Sequence, residues 1–327
     1  MSMTKHHGVK LLFWIPLLLT VSCKESDEVF TKNLIQTLKS SSIEKNNIDW
    51  NDFEAEVMES LKVSKDSAII KALTLHNNPH TTYIRNGVTL TGRFDKEPID
   101  TICSIAKPLD LRKFEALGYL KVRRFYGHMY DEAERKAESS NYITEILNAI
   151  QDQDRPGLKG WIIDLRYNYG GDMWPMLIAL SPFFVDGELG SFRSETINHK
   201  WSLADNIVYL DNQNQNKRVF DKANSYKVKH GLNKVAVLIN NNTASSGEAV
   251  AIALNTLKNV RFFGKTTHGF TSANTPISMG SGEMLVLTTS IMYDNKGRKY
   301  PEGINPNFRS CNLQELEQSI ERWINKD

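Results

Sequence analysis

Two short apolar runs limit what this chain can fold into. Gly160-Trp161-Ile162-Ile163-Asp164-Leu165 and Val235-Ala236-Val237-Leu238-Ile239 are continuous rather than alternating, and each stops at small polar residues or glycine. A run this short without alternation fits a strand covered on both faces, as in a parallel sheet flanked by helices. The surrounding pattern agrees. Gly118–Val122, Val260–Phe263 and Met284–Thr289 read as further strands, and Tyr142–Ile150, Met176–Leu180 and Ser246 to about Leu257 as helices. Strand alternating with helix predicts an α/β core. Asp211–Lys217 reads as a polar loop, and Glu134–Ser140 as a solvated helix face.

Ahead of that core the pattern is helical. Leu34, Ile35 and Leu38 recur at helical spacing, as do Phe53, Val57, Met58 and Leu61. Asp49 or Asn51 caps the start of the second group, and a further helix over Ser67–Leu75 ends at His76-Asn77-Asn78-Pro79. Residues 86–112 are turn-rich and too few for a full peptide-binding module, so they read as a connector.

The N-terminus differs in kind. Lys5, His6, His7 and Lys10 precede an apolar run from Leu11 to Val21, which is short for a membrane span and gives way to Ser22-Cys23 and polar sequence. This resembles a bacterial lipoprotein signal, which implies removal of residues 1–22 and acylation of Cys23. The acyl chains would then hold an exported protein at a membrane surface without a spanning helix. The expected organisation is signal peptide 1–22, helical domain 23–85, connector 86–112 and catalytic α/β domain 113–327.

Charge gives no case for nucleic acid: Lys and Arg number 40 against 38 Asp and Glu, with no basic stripe carrying interleaved aromatics. No His/Cys cluster has metal-ligand spacing, and no metal or cofactor is expected. Whether Cys103 and Cys311 pair is open from sequence, as is the oligomeric state.

Two segments point to chemistry. In Asn240-Asn241-Asn242-Thr243-Ala244-Ser245-Ser246-Gly247-Glu248, a buried strand ends, small polar residues turn the chain, and a helix begins. A serine on such an elbow projects its hydroxyl above the sheet, beside free helix-terminal amides suited to an oxyanion. Serine is equally an ordinary N-cap, so the segment alone leaves both roles open. In Asp164-Leu165-Arg166-Tyr167-Asn168-Tyr169-Gly170-Gly171-Asp172, paired glycines follow the other buried strand and permit close backbone approach, or simply a tight turn.

DLRYNYGGD, NNNTASSGEA and the later LTTSIMYDNKGRKYPEGINPN occur in the order and approximate spacing of the tail-specific (C-terminal processing) serine protease family, and IDWNDF and NNPHTTY resemble its helical region. The similarity runs from about Ile48 to Phe308. It implies a ClpP/crotonase-like spiral α/β core beside N-terminal helices, Ser245 as nucleophile, and an oxyanion hole from Ser246 with Gly171 or Gly170. The C-terminal processing branch uses a lysine base in a motif that here reads Gly264-Lys265-Thr266-Thr267-His268-Gly269-Phe270, with Phe270 at the lysine position. The tricorn-like branch instead uses a histidine and a glutamate, matched by His80 in PHTTY and Glu302 in YPEGINP. The resemblance therefore implies a Ser245–His80–Glu302 triad, with His268, Lys265 and His128 as rival bases. Activity should rise through an apparent pKa of roughly 6 to 7, the ordinary imidazole range.

The expected function is a serine peptidase acting on exported polypeptides through an acyl-enzyme. The rival is a catalytically silent relative that binds peptides or hydrophobic ligands. An acyl-CoA enzyme of the crotonase type would share only the fold.

Overall fold

The computed structural model describes residues 26–94, 107–128, 131–220 and 224–326. Cys23 and Cys103 lie outside them, and Cys311 is disulfide-bonded.

Three helices open the described chain: α1 (Asp27–Ser41), α2 (Trp50–Leu61) and α3 (Lys65–His76). Asp49 caps α2 as expected, its carboxylate accepting the Asn51 and Asp52 amides. Short strands β1 (Thr82–Arg85) and β2 (Val88–Leu90) follow, then β3 (Leu117–Lys121), α4 (Glu132–Gln153), β4 (Gly160–Asp164) and α5 (Met173–Leu180). An antiparallel meander comes next: β5 (Gly187–Arg193), β6 (Asn198–Ala204), β7 (Ile207–Leu210) and β8 (Gln213–Asn214). The stretch expected as a polar loop, Asp211–Lys217, thus holds β8 and the start of α6 (Asn216–Val219). The remainder is β9 (Val235–Ile239), α7 (Ser246–Leu254), β10 (Val260–Gly264), β11 (Ser272–Ser278), β12 (Met284–Tyr293), β13 (Phe308–Arg309) and α8 (Leu313–Ile324).

The two apolar runs are neighbours in one parallel sheet, ordered β13-β10-β9-β4-β3. Every residue of β4 and β9 is buried, because α4, α5 and α7 cover one face and α8 the other. Burying each Val, Leu or Ile side chain contributes about 1.5–3 kcal/mol, which is why these strands read as unbroken apolar runs. The α/β class with N-terminal helices is as expected.

The second sheet runs β2-β1-β12-β5-β6-β7-β8, with β11 on the other side of β12. Phe30, Leu34 and Leu38 of α1, Phe53 and Val57 of α2, and Ile69 and Leu73 of α3 bury against Tyr83, Leu285 and Leu287. The helices therefore share a core with β1 and β12. Whatever sits between α3 and β1 is held against this second sheet, and whatever sits between β9 and α7 rises from the first.

Candidate active site

Ser245 lies at the junction of β9 and α7 with φ +52° and ψ −116°. A side chain held there is strained, and such strain is retained where the surrounding structure fixes it. The fixing contacts are visible. Glu248, three residues on, accepts the Ser245 amide at 2.9 Å, while the Glu248 amide goes to the Ser245 carbonyl at 2.8 Å. The Ser245 hydroxyl has a partner beyond the helix. It points to His80, with Oγ 3.1 Å from Nε2.

His80 occupies the connection between α3 and β1, and its backbone is pinned on both sides. Its amide donates to Asn78 Oδ1 at 3.1 Å, and its carbonyl accepts from Asn274 Nδ2 at 2.9 Å. Its other ring nitrogen, Nδ1, lies 2.8 Å from Ser272 Oγ at the start of β11. With Nδ1–H donating to Ser272, Nε2 is left free to accept the Ser245 proton. Phe270 stacks on the imidazole, centroids 4.7 Å apart and planes 16° from parallel. Enclosure of the ring lowers the His80 pKa to about 4, and His268 adds to the shift.

Glu302 departs from expectation. Its side chain is exposed on the turn after Tyr300 and makes no hydrogen bond to His80, whose Nδ1 is taken by Ser272. The structure does not bring Glu302 into the constellation. The rival bases also stand aside: His128 accepts the Asp131 amide at the start of α4, and His268 contacts the Asn241 carbonyl and the edge of Phe270. Lys265 follows β10, and the Ser245 hydroxyl bonds His80 rather than it.

The glycine pair lies against the serine. A Cβ on Gly170 would fall 2.9 Å from Ser245 Cβ, and Gly171, at φ +111°, has no room for a side chain because Phe125 O would be 1.9 Å away. Asn168 Oδ1 takes the Gly170 amide at 3.1 Å, and Ser246 Oγ donates to the Gly171 carbonyl at 2.5 Å. The amides of Gly171 and Ser246 find no acceptor among the described residues. Ser246 is buried and Gly171 exposed. An unpaired buried donor is rare in folded proteins, and two free amides beside a serine hydroxyl suit a ligand oxygen. The preceding Asp164-Leu165-Arg166 is structural: buried Asp164 and Arg166 pair at 2.6 and 2.9 Å, and Tyr119 donates to Asp164.

Two contributors were not assigned from sequence. Glu248 is fully buried and accepts from Ser245, Thr267 and Gly269, so it ties the Ser245 backbone to the loop carrying Phe270. Burial pushes its pKa up to about 7, against those hydrogen bonds. The signal was an acid three residues into a helix after serine. Ser272 had no local signal.

The family model described as peptidase family S41 matches residues 116–310. The chain belongs to peptidase family S41. Among curated relatives, the nisin-resistance protein of Lactococcus lactis subsp. lactis is 31% identical over 189 residues, 58% of this chain and 56% of that protein. Carboxy-terminal processing protease CtpA of Bacillus subtilis is 28% identical over 196 residues, 58% of this chain and 38% of its own length. The match thus spans about half the length of the first relative and less of the second. Among solved structures, a lipoprotein from Streptococcus agalactiae superposes with TM-score 0.69 at 19% identity, covering 96% of this chain and 99% of that one. The photosystem II D1 C-terminal processing protease gives TM-score 0.55 at 14% identity, covering 90% and 97%. At these identities the likeness speaks for the fold.

Proposed function

We propose that this S41 chain is a serine peptidase in which Ser245 is the nucleophile, His80 the base, Ser272 the group that orients His80, and the Gly171 and Ser246 amides the oxyanion hole. The carrying observation is the 3.1 Å contact between Ser245 Oγ and His80 Nε2. Ser245 Oγ attacks the scissile carbonyl carbon as its proton passes to His80 Nε2. The carbonyl oxygen becomes an oxyanion within reach of the two free amides. Collapse expels the amine, which takes the proton back from His80, and leaves an acyl-enzyme. Water, activated by the same imidazole, releases the second product. This is the tricorn-like use of histidine, with a serine hydroxyl where a glutamate was expected.

Family membership, the family resemblance of the sequence and the geometry support this reading over a silent binding relative, which would have no use for a strained serine aimed at a neutral imidazole. Fluorophosphonate labelling of the wild type, lost in both Ser245→Ala and His80→Ala, is the expected result. An unlabelled but folded wild type sinks it.

We further propose that the chain is exported and anchored through acylated Cys23, acting on polypeptides at a membrane surface. The residues around Cys23 support this, as do similarity to a protein described as a lipoprotein and to one named for resistance to nisin. Mass spectrometry of the mature N-terminus tests it: an unmodified Cys23, or a different first residue, overturns the anchor.

A further inference from the structure

Next to the glycine loop stands a cation with no counter-ion among the described residues. Arg124 is exposed and, among the described residues, makes no ion pair or hydrogen bond, whereas its neighbour Arg123 holds Glu145 at 2.7 and 2.9 Å. The Arg124 guanidinium carbon lies 5.6 Å from the Tyr126 ring centroid and 5.8 Å from that of Tyr169. Both rings are themselves exposed, at 59% and 44%, and neither hydroxyl has a partner among the described residues. Asp172, the nearest acid in the glycine loop, is turned to capping α5 through the Trp174 amide at 3.0 Å.

The position is what gives this cluster meaning. Phe125 runs alongside the glycine loop, its amide donating to the Gly170 carbonyl and its carbonyl accepting from the Asp172 amide. The Phe125 ring packs on Tyr142, while Arg124 and Tyr126, on either side of it, meet each other. A Cβ on Gly171 would lie 3.0 Å from the Tyr126 ring, and one on Gly170 would lie 2.9 Å from Ser245 Cβ. The two glycines therefore lie between Ser245 on one side and the Tyr126 ring with its arginine on the other.

We propose that Arg124, Tyr126 and Tyr169 form a carboxylate-binding subsite that receives a substrate carboxylate a short way along the chain from the scissile bond. The proposal rests on the peptidase reading above. A guanidinium presents a planar fork that matches a carboxylate in two parallel hydrogen bonds. The two rings hold that fork through cation–π contact, so less side-chain freedom is lost on binding, and the tyrosine hydroxyls supply further donors. A C-terminal α-carboxylate and an Asp or Glu side chain offer the same chemistry.

The test uses three randomised decapeptide pools of otherwise uncharged residues: a C-terminal amide, a free C-terminal acid, and an amide carrying one internal Glu. Initial rates and cleavage positions are read by mass spectrometry. At least one carboxylate pool should be cut about tenfold faster than the neutral amide, at a fixed distance from its carboxylate, with the preference shrinking as salt rises. Gain by the free-acid pool alone identifies the terminus as the source, and gain by the Glu pool identifies a side chain. In Arg124→Gln the ratio should fall to near one while the melting temperature holds, and Arg124→Lys should recover part of it. Equal rates for the three pools in the wild type, or a preference that survives Arg124→Gln, overturn the subsite. So does an enzyme that labels at Ser245 yet cuts no pool. Failure of Ser245 to label removes instead the peptidase reading on which the subsite depends.

Discussion

Phe270 lies face to face with the His80 imidazole at a centroid distance of 4.7 Å. The C-terminal processing branch, by its resemblance to this sequence, has a lysine at that position. Here the same loop position supplies an apolar wall rather than a base. The wall excludes water from one face of His80 and so adds to the burial that disfavours the imidazolium. That burial, with His268 beside it, lowers the pKa to about 4.

That shift changes the pH dependence expected from sequence. A base must be unprotonated, and a lowered pKa keeps His80 neutral further into acid. Fluorophosphonate labelling should stay level from neutrality down to about pH 5 and fall with a midpoint near 4, not near 6 to 7. Phe270→Ala should raise the midpoint towards the ordinary imidazole value of about 6.5, because the ring regains water. Labelling rates across pH for the two proteins decide the matter; coincident profiles would detach Phe270 from the shift.

Ser272 and Glu302 make opposite predictions. Ser272→Ala leaves Nδ1–H without its acceptor, a loss of about 1–3 kcal/mol, or roughly fivefold to more than a hundredfold in labelling rate. Ser272→Thr keeps the hydroxyl and should restore much of it. Glu302→Gln, an exposed change away from the ring, should label within about twofold of wild type. The reverse pattern would return Glu302 to the triad.

What the sequence discloses follows from what is buried locally. The buried strands β4 and β9 were legible because both faces are covered, and Ser245 and Gly171 because each directly follows such a strand. His80 and Ser245 were legible as motifs, though they meet across 165 positions. The meander β5 to β7 was not, since Asn198, His199 and Lys200 face solvent and only Trp201 and Leu203 of β6 point inward, too few to mark a period. Ser272 was hidden for a different reason. Its role comes wholly from a partner 192 positions away, and nothing in its own neighbourhood distinguishes it. Glu302 was read from a motif whose backbone turn is present while its side chain faces outward.

Gly171 separates conformational strain from steric collision. Gly157 has φ +89° with nothing near its absent Cβ, whereas Gly171 has φ +111° with Phe125 O at 1.9 Å. Gly157→Ala should cost about 1–2 kcal/mol of stability and leave labelling intact. Gly171→Ala, and more so Gly171→Val, must push the loop off Phe125 and displace the amide proposed to bind the oxyanion. Turnover should fall at least about a hundredfold. A side chain against backbone this close also disturbs the local fold, so a lowered melting temperature should accompany the loss. A Gly171→Ala protein as active as Gly157→Ala would remove the amide from the mechanism.

His76 carries the final prediction, about stability rather than chemistry. It is buried at the end of α3, with Nε2 2.5 Å from Ser42 Oγ and Nδ1 without a partner among the described residues. Burial lowers its pKa to about 4 from the ordinary 6.5, with the carboxylate of Glu44 opposing the shift slightly. Between those values the unfolded chain binds a proton that the folded chain refuses, so stability is fully present above about 6.5 and is lost as pH falls through 4. His80 is lowered in the same sense and adds to the slope. Glu248, raised to about 7, works against it, since its folded form takes up a proton earlier than the unfolded chain does. The difference between wild type and His76→Gln isolates the one group. Each extra proton bound by the unfolded state changes stability by about 1.4 kcal/mol per pH unit at most. Urea unfolding at pH values from 4.5 to 7 should therefore show a shallower rise in stability for His76→Gln, whatever the substitution costs at neutral pH. Parallel lines for the two proteins would mean that His76 is protonated in the folded state and that its burial is relieved by water or movement.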